Sequence, residues 1–201
     1  QLQQHVPSLH AWLSTNDKLQ ALAGDMAWKA LLVSPHPAGQ APPPPQRLML
    51  ESSLEGMSVA LPWPFGKAPL ERRPLRIETT LNAAADDTVR IKYGDDVQIA
   101  LSRARDAAGV RHLQRLETVF GAATAPTLEQ DGIYVHGQLR SLPLGEWAML
   151  MKGPALPTSG LPIRLEVDVA QLHTLGQEFA EVSLRGHQDP VAWRIQMTSP
   201  M

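Results

Sequence analysis

The sequence predicts a mainly β fold built on a twisted antiparallel sheet, with an N-terminal helix and two short helices. Three observations support this fold class. About ten short runs alternate apolar and polar residues, which is the period of a half-buried strand. Gly- and Asp-rich breaks separate many of these runs, as turns do. Only three stretches show the three- and four-residue apolar spacing of a helix.

The alternation is cleanest over residues 161–169, where apolar residues alternate with Arg164, Glu166 and Asp168. Successive side chains of a strand point to opposite faces of the sheet. We therefore expect one continuous apolar face and one water-facing side that includes Gln98, Arg164, Glu166 and Arg194. The apolar face is predicted to comprise Val89, Ile91, Val97, Ile99, Leu101, Ile133, Val135, Ile163, Leu165, Val167, Val182, Leu184, Trp193 and Ile195.

Glycines mark two breaks in the strand pattern. Gly94-Asp95-Asp96 lies between two alternating runs and predicts a hairpin, because Gly and Asp tolerate a positive φ. At Glu55-Gly56 the apolar phase changes, which predicts a β-bulge. Since most connections are short, we expect consecutive strands to pair antiparallel.

Helical spacing is confined to three stretches. The first is residues 1–24, which Gly24 would end. The others are short: residues 146–151, and residues 171–175 followed by Gly176 as a C-cap.

The chain divides into a few sections of different composition. Residues 34–46 form a Pro-rich loop with four consecutive prolines, which favour an extended polyproline conformation. Residues 47–140 form a first β section. Residues 141–201 combine the short helices with a second β section. We expect all of residues 1–201 to belong to one elongated β region of a larger protein.

Both termini predict a piece of a longer polypeptide. The chain begins at Gln1 without an initiator Met, and it ends at Met201 directly after a strand-like run. No apolar run reaches the roughly 18 residues that a membrane span needs. Nor is there a signal peptide. We expect any membrane anchor to lie outside this piece.

Composition argues against several function classes. Charged residues make up 19% of the chain and the formal net charge is −2. Its scattered Arg and Lys residues give no concentrated basic face, so a nucleic-acid partner is not expected. The chain has no cysteine, which excludes disulfides, thiolate metal sites and a cysteine nucleophile.

The sequence offers no recognisable catalytic, metal or cofactor site. It lacks the nucleophile elbow, the zinc-protease motif and the glycine-rich phosphate loops. No two histidines are three or four residues apart, and His136 falls on the polar phase of a strand. Asp86-Asp87 and Asp95-Asp96 lie where turns are expected, and aspartate is common in turns. We predict no catalytic residues, no metal and no cofactor.

The tryptophans are predicted to pack in the core, with one exception. Trp63 lies in a Pro-rich stretch and would either cover an end of the sheet or be exposed.

Three motifs, in order, resemble the YhdP branch of the AsmA-like family of large bacterial envelope proteins. The first is residues 61–67, LPWPFGK, followed by RPL at residues 73–75. The second is residues 142–147, LPLGEW, where Pro143 and Gly145 replace the aspartates of the family's helix entry. The third runs from Val167 to Pro200 as a strand, a short helix and a hairpin.

This resemblance implies a function that periodicity does not show. Members are long proteins, anchored in the inner membrane, that extend through the periplasm of Gram-negative bacteria. Their sheets curl into an elongated groove whose apolar face shields the acyl chains of phospholipid. They carry phospholipid towards the outer membrane and support its permeability barrier. The implied partners are acyl chains, other segments of the same long chain and, through an outside anchor, the inner membrane.

Two other functions remain open from the sequence. One is a periplasmic structural or assembly scaffold whose sheet closes over a packed core and leaves no groove. The other is a hydrolase of envelope carbohydrate, which would need a carboxylate pair facing a cleft.

Overall fold

The computed structural model describes residues 21–35, 45–81, 87–107, 109–121, 125–150, 160–188 and 193–199. The mainly β prediction is confirmed, because these residues form twelve strands and one helix. The strands are β1 (Leu22–Gly24), β2 (Trp28–Val33), β3 (Gln46–Ser52), β4 (Met57–Val59), β5 (Leu75–Leu81), β6 (Asp87–Tyr93), β7 (Val97–Arg105), β8 (Arg111–Phe120), β9 (Gly132–Pro143), β10 (Ile163–Thr174), β11 (Gln177–Gln188) and β12 (Trp193–Thr198). The helix, α1, spans Leu144–Leu150 and follows β9 directly.

Ten strands form one open sheet in the order β12-β11-β10-β9-β8-β7-β6-β5-β3-β2. The remaining two, β1 and β4, pair with each other as a small second sheet. Because β9 pairs with both β8 and β10, the expected boundary at residue 140 lies inside a strand. Within the described residues, the two predicted β sections therefore share one sheet.

The prediction that consecutive strands pair antiparallel is wrong for β1 and β4, which pair with each other, and at two places within the ten-stranded sheet. β9 runs parallel to β8 on one side and parallel to β10 on the other. In both cases the connection runs back along the sheet. The next strand therefore begins at the same end of the sheet as the strand before it. Parallel neighbours need such a crossover, which short turn signals do not announce.

The short helix predicted at residues 171–175 is wrong, because this stretch completes β10 and the turn after it. Leu175 and Gly176 both have positive φ, at 53° and 73°. Two such residues form the tight hairpin turn whose twist matches that of the strands, and β10 pairs antiparallel with β11 across it.

The other local predictions have mixed outcomes. Of the predicted N-terminal helix, residues 1–20 lie outside the described residues, and Leu22–Gly24 is strand β1 rather than helix. The hairpin at Gly94 is confirmed by the pairing of Tyr93 with Val97.

The β-bulge predicted at Glu55-Gly56 is wrong. Glu55-Gly56 is a turn between β3 and β4, which belong to different sheets, so no bulge occurs there. The register shift lies instead in β8, next to Ser102 and Arg103 of β7.

One glycine is required by the close packing of two parallel strands. Gly137 of β9 has a φ of 116° and lies opposite Phe120 of β8. A Cβ at this position would clash with the carbonyl oxygen and the amide nitrogen of Phe120. Only glycine allows both the backbone conformation and this approach.

Candidate functional site

The strand register places all fourteen predicted apolar-face positions on one face of the ten-stranded sheet. Directly opposed residues of paired strands share a face. One such row crosses the sheet through Ile77, Ile91, Ile99, Thr118, Val135, Leu165, Gly186 and Ile195. We call this side of the sheet the apolar face. The role of these residues as lipid contacts stays a prediction.

The apolar face differs between its two margins. We call the strand ends near Val97, Phe120 and Leu139 the capped margin, because other segments cover them. We call the strand ends near Leu101 and Ile133 the open margin. Every strand of the sheet runs from one margin to the other, so each contributes residues to both.

At the capped margin the face forms a packed hydrophobic cluster. Val97 is 0% exposed and Val167 is 2% exposed. Of the predicted lipid contacts, four are buried in this cluster, namely Val97, Val167, Val182 and Leu184. The other buried members are Leu54, Tyr93, Phe120, Leu139, Val169 and Leu172. Such positions face protein side chains and not solvent.

The cover over this cluster comes mainly from residues 60–73, which we call the cap segment. Phe65 lies at its centre. The Phe65 ring lies 6.3 Å from the Tyr93 ring, 6.4 Å from the Phe120 ring and 5.8 Å from the Trp147 ring of α1. Trp63 is half-buried against the cluster, so of the two predicted alternatives it covers an end of the sheet.

Two hydrogen bonds attach the cap segment to its neighbours. The Trp147 indole N–H of α1 donates to the Trp63 carbonyl at 3.0 Å. The Tyr93 hydroxyl donates to the Phe65 carbonyl at 2.7 Å. Burial raises the pKa of Tyr93, and the nearby Arg73 guanidinium partly offsets that rise. The Tyr93 hydroxyl therefore stays protonated and remains a donor at neutral pH.

Two buried cations hold the cap segment in shape. The Lys67 ammonium, in a residue 5% exposed, donates to the carbonyls of Met57 at 2.6 Å and Ala68 at 2.8 Å. The Arg73 guanidinium lies 4.6 Å from the Tyr93 ring centroid and 3.4 Å from an Asp96 carboxylate oxygen. Arg73 is buried, whereas its neighbour Arg72 is exposed. Both buried cations therefore interact with groups of the protein itself.

At the open margin the same face is only half covered. We call six of its half-buried aliphatic residues outside the packed cluster, on β6 to β10, the open band. They are Val89, Ile91, Leu101, Leu116, Ile133 and Ile163. Ile99, Val135 and Leu165 form the border between the band and the cluster. At the sheet edge, Ile195 is 56% exposed, and Trp193 has the matching register position in β12.

The opposite face of the sheet is polar, but water does not reach all of it. Arg164, Glu166 and Arg194 are exposed, as the sequence predicts. Gln98 is half-buried, and its neighbours Ala100 and Val119 on that face are 0% exposed. The β8–β9 connection crosses this region, which alternation along a strand does not reveal.

The β8–β9 connection is fixed to the polar face by Glu117. One carboxylate oxygen accepts the backbone N–H groups of Thr127 and Leu128, both at 2.8 Å, and the other lies 2.8 Å from Nε2 of His136. Burial raises the pKa of Glu117, but these hydrogen bonds more than offset it and leave the pKa below its usual range. Glu117 is therefore ionised at neutral pH.

Beside Glu117 lies a polar cavity of about 220 Å³, which Tyr134, His136 and Arg164 help to line. The His136 imidazole is hydrogen-bonded to Glu117, on the polar face where its phase places it. Among the residues that the structure describes, no three His, Asp or Glu side chains are grouped to bind a metal ion.

One functional candidate was missed by sequence reasoning. Asp87, interpreted as a turn residue, is the first residue of β6, and its side chain is 3% exposed. It lies within ion-pair distance of Arg103 and Arg111. Asp87 and Arg103 have odd numbers, like Val89 and Leu101 on the same two strands. This alternation would have placed the Asp87–Arg103 pair next to the apolar face.

Comparison with known proteins identifies the family. A family model described as YhdP protein matches residues 1–201. The chain belongs to the YhdP family. The family is one of bacterial envelope proteins. No curated protein and no solved structure matches the chain. In the part of the chain that the structure describes, no helix is long and apolar enough to span a membrane.

Proposed function

We propose that this YhdP-family chain is a non-enzymatic, lipid-carrying section of a periplasm-spanning protein anchored in the inner membrane. The ten-stranded sheet curls into a groove, and its apolar face takes up phospholipid acyl chains. The whole protein moves phospholipid between the inner and outer membranes and supports the outer-membrane permeability barrier. Other segments of the same long chain continue the groove.

The open band is the observation that carries this proposal. Six half-buried aliphatic residues lie side by side on five neighbouring strands, next to the packed cluster. Burying a CH₂ group is worth about 0.8 kcal/mol, so an acyl chain gains stability by lying on such a surface. Nothing in this step breaks or forms a bond, so no catalytic group is needed.

The packed cluster favours a second function, that of a closed structural or assembly scaffold. Val97, Val167, Val182 and Leu184 are covered by protein, as a scaffold core would be. In that case the open band would be covered by further protein and would bind no lipid. Phospholipid extracted with the purified full-length protein separates the two functions, because only an open groove retains it.

Photo-crosslinking in the full-length protein within its native envelope tests the proposal directly. Neighbouring residues of β10 give a matched pair: Ile163 belongs to the open band, and Arg164 is exposed on the polar face. A photoreactive residue at Ile163 is expected to capture phospholipid, and one at Arg164 is not. Equal capture at both positions, or none at Ile163, would contradict the groove and favour the scaffold.

A further inference from the structure

The open margin of the apolar face ends in charged residues. In the strand register Asp87 pairs with Arg103, and Arg105 pairs with Arg111. Arg103 and Arg105 follow Leu101 in the alternation of β7, and Asp87 precedes Val89 in that of β6. One aspartate and three arginines therefore lie on the apolar face, directly beyond the open band.

A buried carboxylate organises two of these arginines. Nε of Arg103 donates to Oδ1 of Asp87 at 3.0 Å, and Nε of Arg111 lies 3.5 Å from Oδ2. The Asp87 side chain is 3% exposed, whereas those of Arg103 and Arg111 are 39% and 37% exposed. Asp87 thus positions two guanidiniums that keep part of their surface towards solvent.

Cations outnumber acids in this group, which we call the arginine cluster: Arg103, Arg105 and Arg111 with Asp87. Asp106, in the turn after β7, accepts the Val110 backbone N–H and contacts His112 at 2.7 Å. His112 lies on the opposite phase of β8 from Arg111. Asp86, which precedes β6, lies outside the described residues.

At the capped margin, the described cations nearest the packed cluster are buried, while the exposed Arg72 is paired with Glu55 and Lys92 lies on the polar phase of β6. Lys67 and Arg73 are buried at 5% and 6% exposure, and each is engaged by carbonyl oxygens, an acid or a ring of the protein itself. A polar group at the end of a bound acyl chain would therefore meet aromatic side chains at that margin. At the open margin it would meet exposed guanidiniums.

We propose that the arginine cluster binds the headgroup of an anionic phospholipid whose acyl chains lie on the open band. This inference rests on the proposed function. A guanidinium forms paired, charge-assisted hydrogen bonds with phosphate oxygens. Phosphatidylethanolamine also has a phosphate, but its ammonium is repelled by the neighbouring arginines. The cluster therefore selects headgroups with a net negative charge, such as phosphatidylglycerol.

Lipid captured beside the cluster provides the test. A photoreactive residue replaces Leu101 in the full-length protein in its native envelope, and mass spectrometry gives the ratio of captured phosphatidylglycerol to phosphatidylethanolamine. The double variant Arg105→Gln/Arg111→Gln leaves the Asp87–Arg103 pair in place. We expect it to lower this ratio about fivefold, since each partly exposed cation contributes modestly. Arg105 is exposed, so R105Q alone, with an expected change of about twofold, serves if the double variant does not accumulate.

Two controls separate charge at this site from general effects. Arg185→Gln removes a cation that is 46% exposed and paired with Asp168 at 3.0 Å, but lies on the polar face. It is expected to leave the ratio unchanged. Arg105→Lys/Arg111→Lys keeps both charges and is expected to retain most of the preference.

The outcomes distinguish this inference from the function on which it rests. If lipid is captured at Leu101 but the glutamine variants leave the ratio unchanged, the headgroup site is wrong and the groove stands. If R185Q lowers the ratio equally, the effect is one of general charge and the site is also wrong. If the unaltered cluster yields no lipid at Leu101, the proposed function itself fails.

Discussion

The capped and open margins of the apolar face both contain aliphatic strand residues, yet these residues differ in burial. Val97 and Leu101 lie four residues apart on β7 and share one face. Val97 is 0% exposed beneath the cap segment, whereas Leu101 is half-buried in the open band. The difference shows that an apolar phase becomes a core only where a distant segment covers it.

The largest expected effect contrasts leucines at the two margins. Leu172 of β10 is 2% exposed within the packed cluster, and Leu101 is half-buried at the open margin. Leu172→Ala should lower the free energy of unfolding by about 3 kcal/mol, through lost burial and a cavity. Leu101→Ala should lower it by about 1 kcal/mol. Urea denaturation of the purified protein measures both.

Because the substitution is identical in both variants, the comparison depends on surroundings alone. Equal losses for L172A and L101A would mean that the open band is as tightly packed as the cluster. That result would remove the distinction between the margins and favour the closed scaffold.

A smaller effect is expected from the cation inside the cap segment. Lys67→Met keeps the aliphatic stem but leaves the carbonyls of Met57 and Ala68 without their donor. We expect a loss of about 2 kcal/mol in unfolding free energy, because unsatisfied buried acceptors are costly. Increased proteolysis within residues 60–73 would place the loosening in the cap segment.

Lys92→Met is the matched control for this variant. The Lys92 side chain is 56% exposed and lies 3.8 Å from Asp95 at the capped margin. An exposed ion pair of this kind contributes about 0–1 kcal/mol, so K92M should change stability little. A loss with K92M as large as that with K67M would refute the assigned role of Lys67.

The smallest effect is expected on the polar face, where hydrogen bonds to the Glu117 carboxylate hold the β8–β9 connection. The folded-state pKa of Glu117 lies below its usual value, so its stabilising effect is full above the unfolded pKa, about 4.3. The effect is lost as the pH falls through the lower, folded pKa. Glu117→Gln should cost about 1–2 kcal/mol at pH 6, and this difference should shrink between pH 5 and pH 3.

Unfolding of both proteins across this pH range isolates Glu117 from other acids. The pKa of Asp168 is also lowered, by hydrogen bonds from Ser183 and Arg185, and so contributes to the same acid loss in both proteins. Only the difference between wild type and E117Q reports on Glu117. A difference that stays constant down to pH 3 would show that the lowered pKa is not the source of its contribution.

Local chemistry was enough to determine which residues share a face. A period of two assigned the apolar face, and the strand register agrees at all fourteen positions, because side-chain alternation is a property of each strand alone. The hairpin at Gly94 followed from its tolerance of positive φ. The motif at residues 61–67 indicated the family, but its sequence did not predict that this segment covers the apolar face.

Tertiary structure alone decided which part of that face is covered and how the strands are ordered. The parallel pairing of β9 with β8 and β10 depends on where the connecting segments return. Val97 is buried in a cluster against which Phe65 packs, and the β8–β9 connection is held on the polar face by Glu117. Asp87 is a site residue because β7 and β8 bring Arg103 and Arg111 to it. Each of these features joins residues far apart in the chain, whereas periodicity reports only on neighbours.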